Sequence, residues 1–419
     1  MFSMGSLFVD VMDSNWNPEK GMIEKIQKNM PKIVKVKGVE VTNKSASTIT
    51  PVVNSKSQEL TIKSGLISAK RADIDDINAK ANFTVKAGYD DQGKPNFLDA
   101  NGDLIAGIYT DIPNDVYHSL PAFSSSMIKK FLTSPAHYYR HYIDPVNRKR
   151  TSKAMEYTLD AGTYAHELIL EPNGFYDRYF RELSQAENPN LLSSSEDIKS
   201  LCKENGLKLS GTKAVLIERL IEHDPCLGEF IFDVMQQRHL EANQGKTGID
   251  AVVWDDAHRA CKTVRNNEWA DTLLSDGISE LSVIALCPET GRWLKVRFDW
   301  LSYDGVPVDL KTSRSANPLK VIYYFADLKY DIQAYMYSYV GRLAGIPIPR
   351  YTFPFVCVEF IDADICEVFE LSHDDFRIAG KNYHHAINEL MECLETNDWY
   401  GYTDEIGSTR ITLSKRGRV

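Results

Sequence analysis

The residues best suited to chemistry are two aspartates and a lysine in the stretch 292–313, RWLKVRFDWLSYDGVPVDLKTS. Leu294, Val296, Phe298 and Trp300 alternate with Lys295, Arg297 and Asp299, the period of a β-strand. Asp304-Gly305 is a hairpin turn, and Val306 to Thr312 predicts the returning strand. On that strand Asp309 and Lys311 share a face opposite Val308 and Leu310, so Asp299, Asp309 and Lys311 are expected to converge on one side of the hairpin. Carboxylates sharing a site repel unless a cation lies between them, and hard oxygen ligands suit Mg²⁺, with Mn²⁺ as a substitute. A lysine beside such an ion can hold and help deprotonate an attacking water, while the metal stabilises charge on a phosphodiester.

These side chains need helices to complete the site. Leu159 to Leu170 (LDAGTYAHELIL) predicts a mostly apolar helix carrying His166. Leu328 to Leu343 predicts a second, with Ile332, Tyr335, Met336, Tyr339 and Leu343 as its buried stripe and Gly345 and Pro347 at its end. Gln333 and Tyr337, four residues apart, project together beside that stripe. Ser124 to Leu132 predicts a shorter helix ended by Ser134-Pro135.

The whole chain has 419 residues and a formal net charge of −10, which on average disfavours nucleic acid as a partner. The local distribution differs. From Lys129 to Lys153 there are seven bases (Lys129, Lys130, Arg140, Arg148, Lys149, Arg150 and Lys153) against one acid, Asp144, with tyrosines interleaved. Such a patch suits a phosphate backbone, because cations there displace condensed counterions whatever the total charge. No apolar run is long enough for a membrane helix and the N-terminus lacks the layout of a signal peptide, so the expectation is a cytoplasmic protein with no membrane partner. The seven cysteines include no CxxC pair, which points to reduced thiols. Residues 1–106, with 14 basic and 13 acidic residues, carry no chemical motif; Ile33 to Val41 reads as a small hairpin.

In order along the chain, His166, Asp299, Asp309-Leu310-Lys311 and Gln333-x-x-x-Tyr337 resemble the RecB-type branch of the PD-(D/E)xK nucleases, and specifically the RecE-type exonucleases, like exodeoxyribonuclease VIII. GTYAHELILEP, RFDWL, VDLKTS and YDIQAYMYS carry the likeness. It implies an α/β fold, a mixed central sheet flanked by helices, over residues 107–410, with 411–419 as a tail. It implies His166, Asp299, Asp309 and the Leu310 carbonyl as metal ligands, Lys311 as the catalytic lysine, and Gln333 and Tyr337 near the scissile phosphate. Glu280 stands where such enzymes often carry a further acid. The activity implied is Mg²⁺-dependent, ATP-independent degradation of linear double-stranded DNA, 5′ to 3′, releasing 5′-mononucleotides. The 3′ strand left behind would pass to a RecT-like single-strand annealing protein, and ring oligomers and a phage or prophage origin belong to the same expectation. Some relatives hold an iron-sulfur cluster with closely spaced cysteines; Cys357, Cys366 and Cys393 are too dispersed, so no cluster is expected. The alternatives are a structure-selective or single-strand-specific nuclease of the same branch and a non-catalytic DNA-binding recombination scaffold.

Residues 193–224, SSSEDIKSLCKENGLKLSGTKAVLIERLIEHD, resemble a SAP motif, a small helical DNA-binding unit. The likeness implies backbone phosphate contacts from Lys208, Ser210, Thr212 and Lys213. Arg297, on the strand of Asp299, is a further candidate for DNA.

Overall fold

A computed structural model describes residues 73–145 and 153–403, without the side chains of 153–159. The Ile33 to Val41 hairpin, Arg148, Lys149, Arg150 and the tail 411–419 lie outside the described residues. The fold is mixed α/β. Seven strands form one sheet: β1 (Lys86–Ala87), β2 (Gly107–Thr110), β5 (Gly277–Leu286), β6 (Trp293–Ser302), β7 (Pro307–Thr312), β8 (Phe355–Glu359) and β9 (Ile365–Phe369), in that spatial order. Only the β1–β2 and β7–β8 pairs are parallel. Two short strands, β3 (Tyr179–Arg181) and β4 (Thr247–Ile249), pair separately.

Helices cover both faces because both faces are apolar. One layer holds α1 (Ser125–Phe131), α6 (Tyr330–Leu343) and α7 (His373–Thr396), whose Ile128, Met336 and Ile387 pack with Val283, Val296 and Phe298 of the sheet. The opposite layer holds α2 (Lys153–Leu170) and α5 (Ala251–Asn266), whose Ala165, Ile169, Ala257 and Val264 pack on Val308, Leu310, Val356 and Val358. Small residues on α2 and α5 let these helices lie close to the sheet.

Residues 73–106 are part of this body. Ile77, Phe83 and Val85 enter the core beneath α6 and α7, while Phe97 and Leu104 pack with Tyr109 and Ile284. Between the layers' sequences, α3 (Ser195–Glu204) and α4 (Lys213–His223) form a helical hairpin with a core of its own: Ile198, Cys202, Leu216, Ile217, Leu220 and Ile231. Ser194 closes α3 with a reciprocal capping box to Asp197, and Thr212 caps α4. Because that core is separate, Leu220→Ala is expected to cost the hairpin roughly 2–5 kcal/mol. Hydrogen exchange should show faster opening of amides in 195–231, with protection in β5 and β6 retained.

Candidate active site

The site lies where β6 and β7 stop pairing. Their ladder contains Leu301↔Pro307 and Trp300↔Val308 and goes no further. Continued, it would set Asp299 opposite Asp309 and Phe298 opposite Leu310 on one face. Instead Phe298 is buried in the α6 layer and Leu310 in the α2 layer. The Leu310 N–H, left without a ladder partner, donates to Asp299 Oδ2 at 2.9 Å. Beyond the gap, β7 pairs with β8, starting at Asp309↔Phe355.

The same place is distorted on β5. Glu280 would face Asp299 across the β5–β6 ladder, yet it has φ of +50° in the midst of an extended strand. A non-glycine residue in that conformation costs on the order of 1–3 kcal/mol, and such strain gathers at functional sites. Here it brings a second carboxylate beside Asp299. His166 of α2 completes the cluster: its Nε2 lies 3.1 Å from Asp299 Oδ2 and its Nδ1 lies 3.8 Å from Glu280 Oε1. One ligand atom from each of His166, Glu280 and Asp299 falls within 4.8 Å of the others.

Asp309 sits on the other side of the gap, fully buried. Gln333 Nε2 donates to its Oδ1 at 2.5 Å and Lys311 Nζ lies 2.5 Å from its Oδ2. The single convergent face expected for Asp299, Asp309 and Lys311 is therefore replaced by two adjoining groups. Asp299 faces His166 and Glu280, while Asp309 faces Lys311 and Gln333. The reason is the parting of the strands, which turns the two carboxylates toward helices in different layers.

Electrostatics follow this division. Burial works against a charged His166, but Asp299 and then Glu280 outweigh it and raise the imidazole to about 8. Burial and the neighbouring Asp299 push Glu280 up to about 7. Asp299 is held low: burial is overcome by His166, Lys311 and the Leu310 N–H. Asp309 is raised, chiefly by burial. Lys311 stays an ammonium because Asp309 and Asp299 outweigh its burial.

Lys129 and Tyr330, both outside the expected catalytic set, join the site, and Tyr337 of that set lies behind it. Lys129 of α1 donates to Gln333 Oε1 at 3.1 Å, and its ammonium lies 5.2 Å from the Tyr330 ring centre, over which Lys311 also lies, at 4.9 Å. Burial, then the charge of Lys311, lowers Lys129 to about 8. Tyr337 is enclosed by Phe298 and Phe353 and interacts with Ser125 at the start of α1. The glycine one turn before His166, Gly162, is tightly packed: a Cβ there would lie 2.8 Å from Thr312 Oγ1, so the missing side chain sets how closely α2 approaches β7.

The other candidates for DNA are distributed differently. Arg297 is fixed inside: its guanidinium donates to Ile112 O at 2.7 Å and Ser282 Oγ at 2.9 Å and lies 4.2 Å from the Tyr117 ring centre. Lys295, from the expected polar face, is buried and donates to the carbonyls of Tyr117, His118 and Leu120. Lys130 is half-buried and Arg140 is exposed and paired with Asp144 at 2.5 Å. On the hairpin, Lys208 and Ser210 are exposed, and their carbonyls accept from Arg219. Thr212 spends its hydroxyl on the cap of α4, and Lys213 pairs with Asp233 at 2.6 Å.

The comparison that decides the family spans this site from α1 through α7: a PDDEXK-like domain of unknown function matches residues 124–412. The chain belongs to that family, DUF3799. As a DUF3799 protein it falls within the PD-(D/E)xK nuclease superfamily. A crystal structure of a proposed exonuclease from Eubacterium rectale is similar at 12% identity and a TM-score of 0.40, covering 72% of this chain and 97% of that one. No curated protein matches the sequence. Among the described residues, no helix is long and apolar enough to cross a membrane.

An imidazole nitrogen and two carboxylates make a donor set that fits Mg²⁺ or Mn²⁺, and the crowding of Glu280 against Asp299 is what a cation would relieve. Ligands must shed protons to bind metal. Divalent-metal affinity is therefore expected to rise steeply with pH to about 7, where Glu280 ionises, more gently to about 8, where His166 does, and then level off. Calorimetric titration with Mn²⁺ across pH 6–9 checks this, and His166→Ala should remove the upper inflection. Gly162→Ala, by pushing α2 from β7, is expected to lower metal-dependent turnover roughly 10- to 100-fold, the usual penalty for displacing a site by about 1 Å.

Proposed function

We propose that the protein is a metal-dependent deoxyribonuclease of the RecE type, acting on linear duplex DNA without ATP. The observation that carries the reading is the adjacency of a three-residue ligand cluster, His166, Glu280 and Asp299, to a buried Asp309–Lys311 ion pair. A bound divalent cation would be held by His166, Asp299 and Glu280, with Asp309 and the Leu310 carbonyl adjoining, and supplies Lewis-acid stabilisation of phosphodiester charge.

The chain's own groups do the rest. Lys311, kept charged by Asp309, presents a fixed ammonium to a water or a phosphate oxygen. Asp309 takes no free motion, being held by Gln333 on one oxygen and Lys311 on the other. Gln333 in turn is oriented by Lys129, so α1, α6 and β7 share one polar chain. Tyr337 closes the apolar wall behind it. A site with a charged lysine, an acid pair and restricted solvent suits attack on a phosphodiester better than chemistry on an uncharged substrate.

Finer features come from the RecE-type resemblance: 5′ to 3′ polarity, 5′-mononucleotide products, a ring oligomer and a RecT-like annealing partner in a bacterial cytoplasm. The hairpin 193–224 contributes weak, salt-sensitive DNA binding through exposed Lys208 and Ser210, raising local substrate concentration by tethering.

Linear duplex incubated with Mg²⁺ and no ATP should yield acid-soluble nucleotides. Lys311→Ala and Asp299→Ala are expected to reduce the rate at least about 10³-fold while DNA binding persists. A 5′-labelled duplex should release its label first. Wild-type rates in both variants would instead favour a non-catalytic scaffold.

A further inference from the structure

The segment joining the two halves of the site carries a surface that the fold leaves uncovered. Between Lys311, at the end of β7, and Tyr330, at the start of α6, runs a helix from Pro318 to Asp327. Its inner side is fixed to the site: Val321 is buried, and the Phe325 ring lies 5.1 Å from Tyr330 and 4.8 Å from Phe355. Its outer side is apolar. Leu319, Ile322 and Tyr323 are 76%, 58% and 67% exposed, and their spacing of three and four residues aligns them in one stripe. Leu328, also exposed, caps the C-terminal end of the helix, two residues before Tyr330.

Single exposed apolar side chains are ordinary, but a continuous stripe on a rigid helix marks a contact surface. Its surroundings indicate the kind of partner. From Ser313 to Lys329 the charged residues are Arg314, Lys320, Lys329 and Asp327, a local excess of cations in a chain of net charge −10. Apolar and aromatic side chains interleaved with cations fit single-stranded nucleic acid, whose bases offer stacking faces and whose phosphates need positive charge. They fit less well a second copy of this acidic chain.

Distance along the chain points the same way. Tyr330 lies beneath the ammonium groups of both Lys129 and Lys311, at 5.2 and 4.9 Å from its ring centre. Leu328 is two residues from Tyr330, at most about 7 Å of backbone. A phosphate held by those lysines would therefore carry its base to the C-terminal end of this helix.

Resting on the nuclease reading of the site, we propose that the Pro318–Asp327 helix receives the terminal bases of a duplex end. Ile322 and Tyr323 stack against bases released from pairing, and Arg314, Lys320 and Lys329 hold the neighbouring phosphates. The helix thereby favours the frayed state of the end and feeds one strand to Lys311. Its direct connection to both β7 and α6 keeps stacking surface and reacting groups in register.

The test uses the full chain with a linear duplex bearing 5-iodouracil at its terminal nucleotide, irradiated in EDTA so that no hydrolysis is needed. The expected result is a cross-link to the peptide containing Ile322 and Tyr323, absent when the label is placed deep within the duplex. In parallel, the Ile322→Ser/Tyr323→Ser variant is expected to slow hydrolysis of blunt duplex about tenfold more than hydrolysis of the same duplex with an unpaired end. Cross-linking elsewhere, with an unchanged ratio of the two rates, would overturn the proposal. A shift of the variant to a smaller assembly in light scattering, with that ratio unchanged, would assign the stripe to a second copy instead. If wild type cross-links at Tyr323 but cleaves nothing, the stacking surface stands and the nuclease reading falls.

Discussion

The hydrogen bond from the Leu310 N–H to Asp299 organises the centre of this protein. A strand cannot leave its neighbour inside a sheet without orphaning a backbone donor, and a buried orphan costs about 1–3 kcal/mol. Asp299 removes that cost by placing a carboxylate where the ladder ends. The same oxygen contacts His166 at 3.1 Å, so one atom joins β6, β7 and α2. Once the strands part there, Asp309 and Lys311 turn toward α6, where Gln333 meets the buried Asp309 carboxylate. Replacing Asp299 would thus disturb both the electrostatics of the site and the exit of β7 from its pairing with β6.

The surrounding layers convert that local event into a rigid site. Gly162 allows α2 to lie against Thr312, which brings His166 to the gap. Val308 and Leu310 anchor β7 in the α2–α5 layer, while Gln333, itself held by Lys129, reaches Asp309 from the opposite layer. Two hydrophobic cores of different composition therefore hold two polar groups at a fixed separation. The left-handed backbone of Glu280 adds a strained feature beside Asp299.

Much of this was legible in the sequence, and the exceptions have physical causes. The alternation on β6 and β7, the Asp304-Gly305 turn and the periodicity of α2 and α6 predict the elements because period and turn chemistry are local. The α/β class is that of the family, and His166, Asp299, Asp309, Lys311 and Gln333 lie together in the fold. What local pattern cannot carry is a break in pairing. The rule that residues two apart share a face placed Asp299 and Asp309 together, whereas the parted strands send them to different helices. Lys129 reads as part of a DNA-binding patch and Lys295 as the polar side of a strand, yet each ends among acceptors supplied by distant segments, Gln333 in one case and the carbonyls of Tyr117, His118 and Leu120 in the other. Arg297 is likewise drawn inside by Ile112 and Tyr117. Glu280 is signalled only by its place in the resemblance, since its φ is a property of the folded sheet. The Pro318–Asp327 helix went unread because its apolar stripe does not face the core.

The central claim is that parting β6 from β7 builds a divalent-metal centre on His166, Glu280 and Asp299. Anomalous diffraction from crystals grown with Mn²⁺ tests it most directly. The account predicts one strong peak within bonding distance of His166 and Asp299, beside Asp309, and its loss in Asp299→Ala. A Mn²⁺ peak bound elsewhere, with His166 still paired to Asp299 as here, would contradict it.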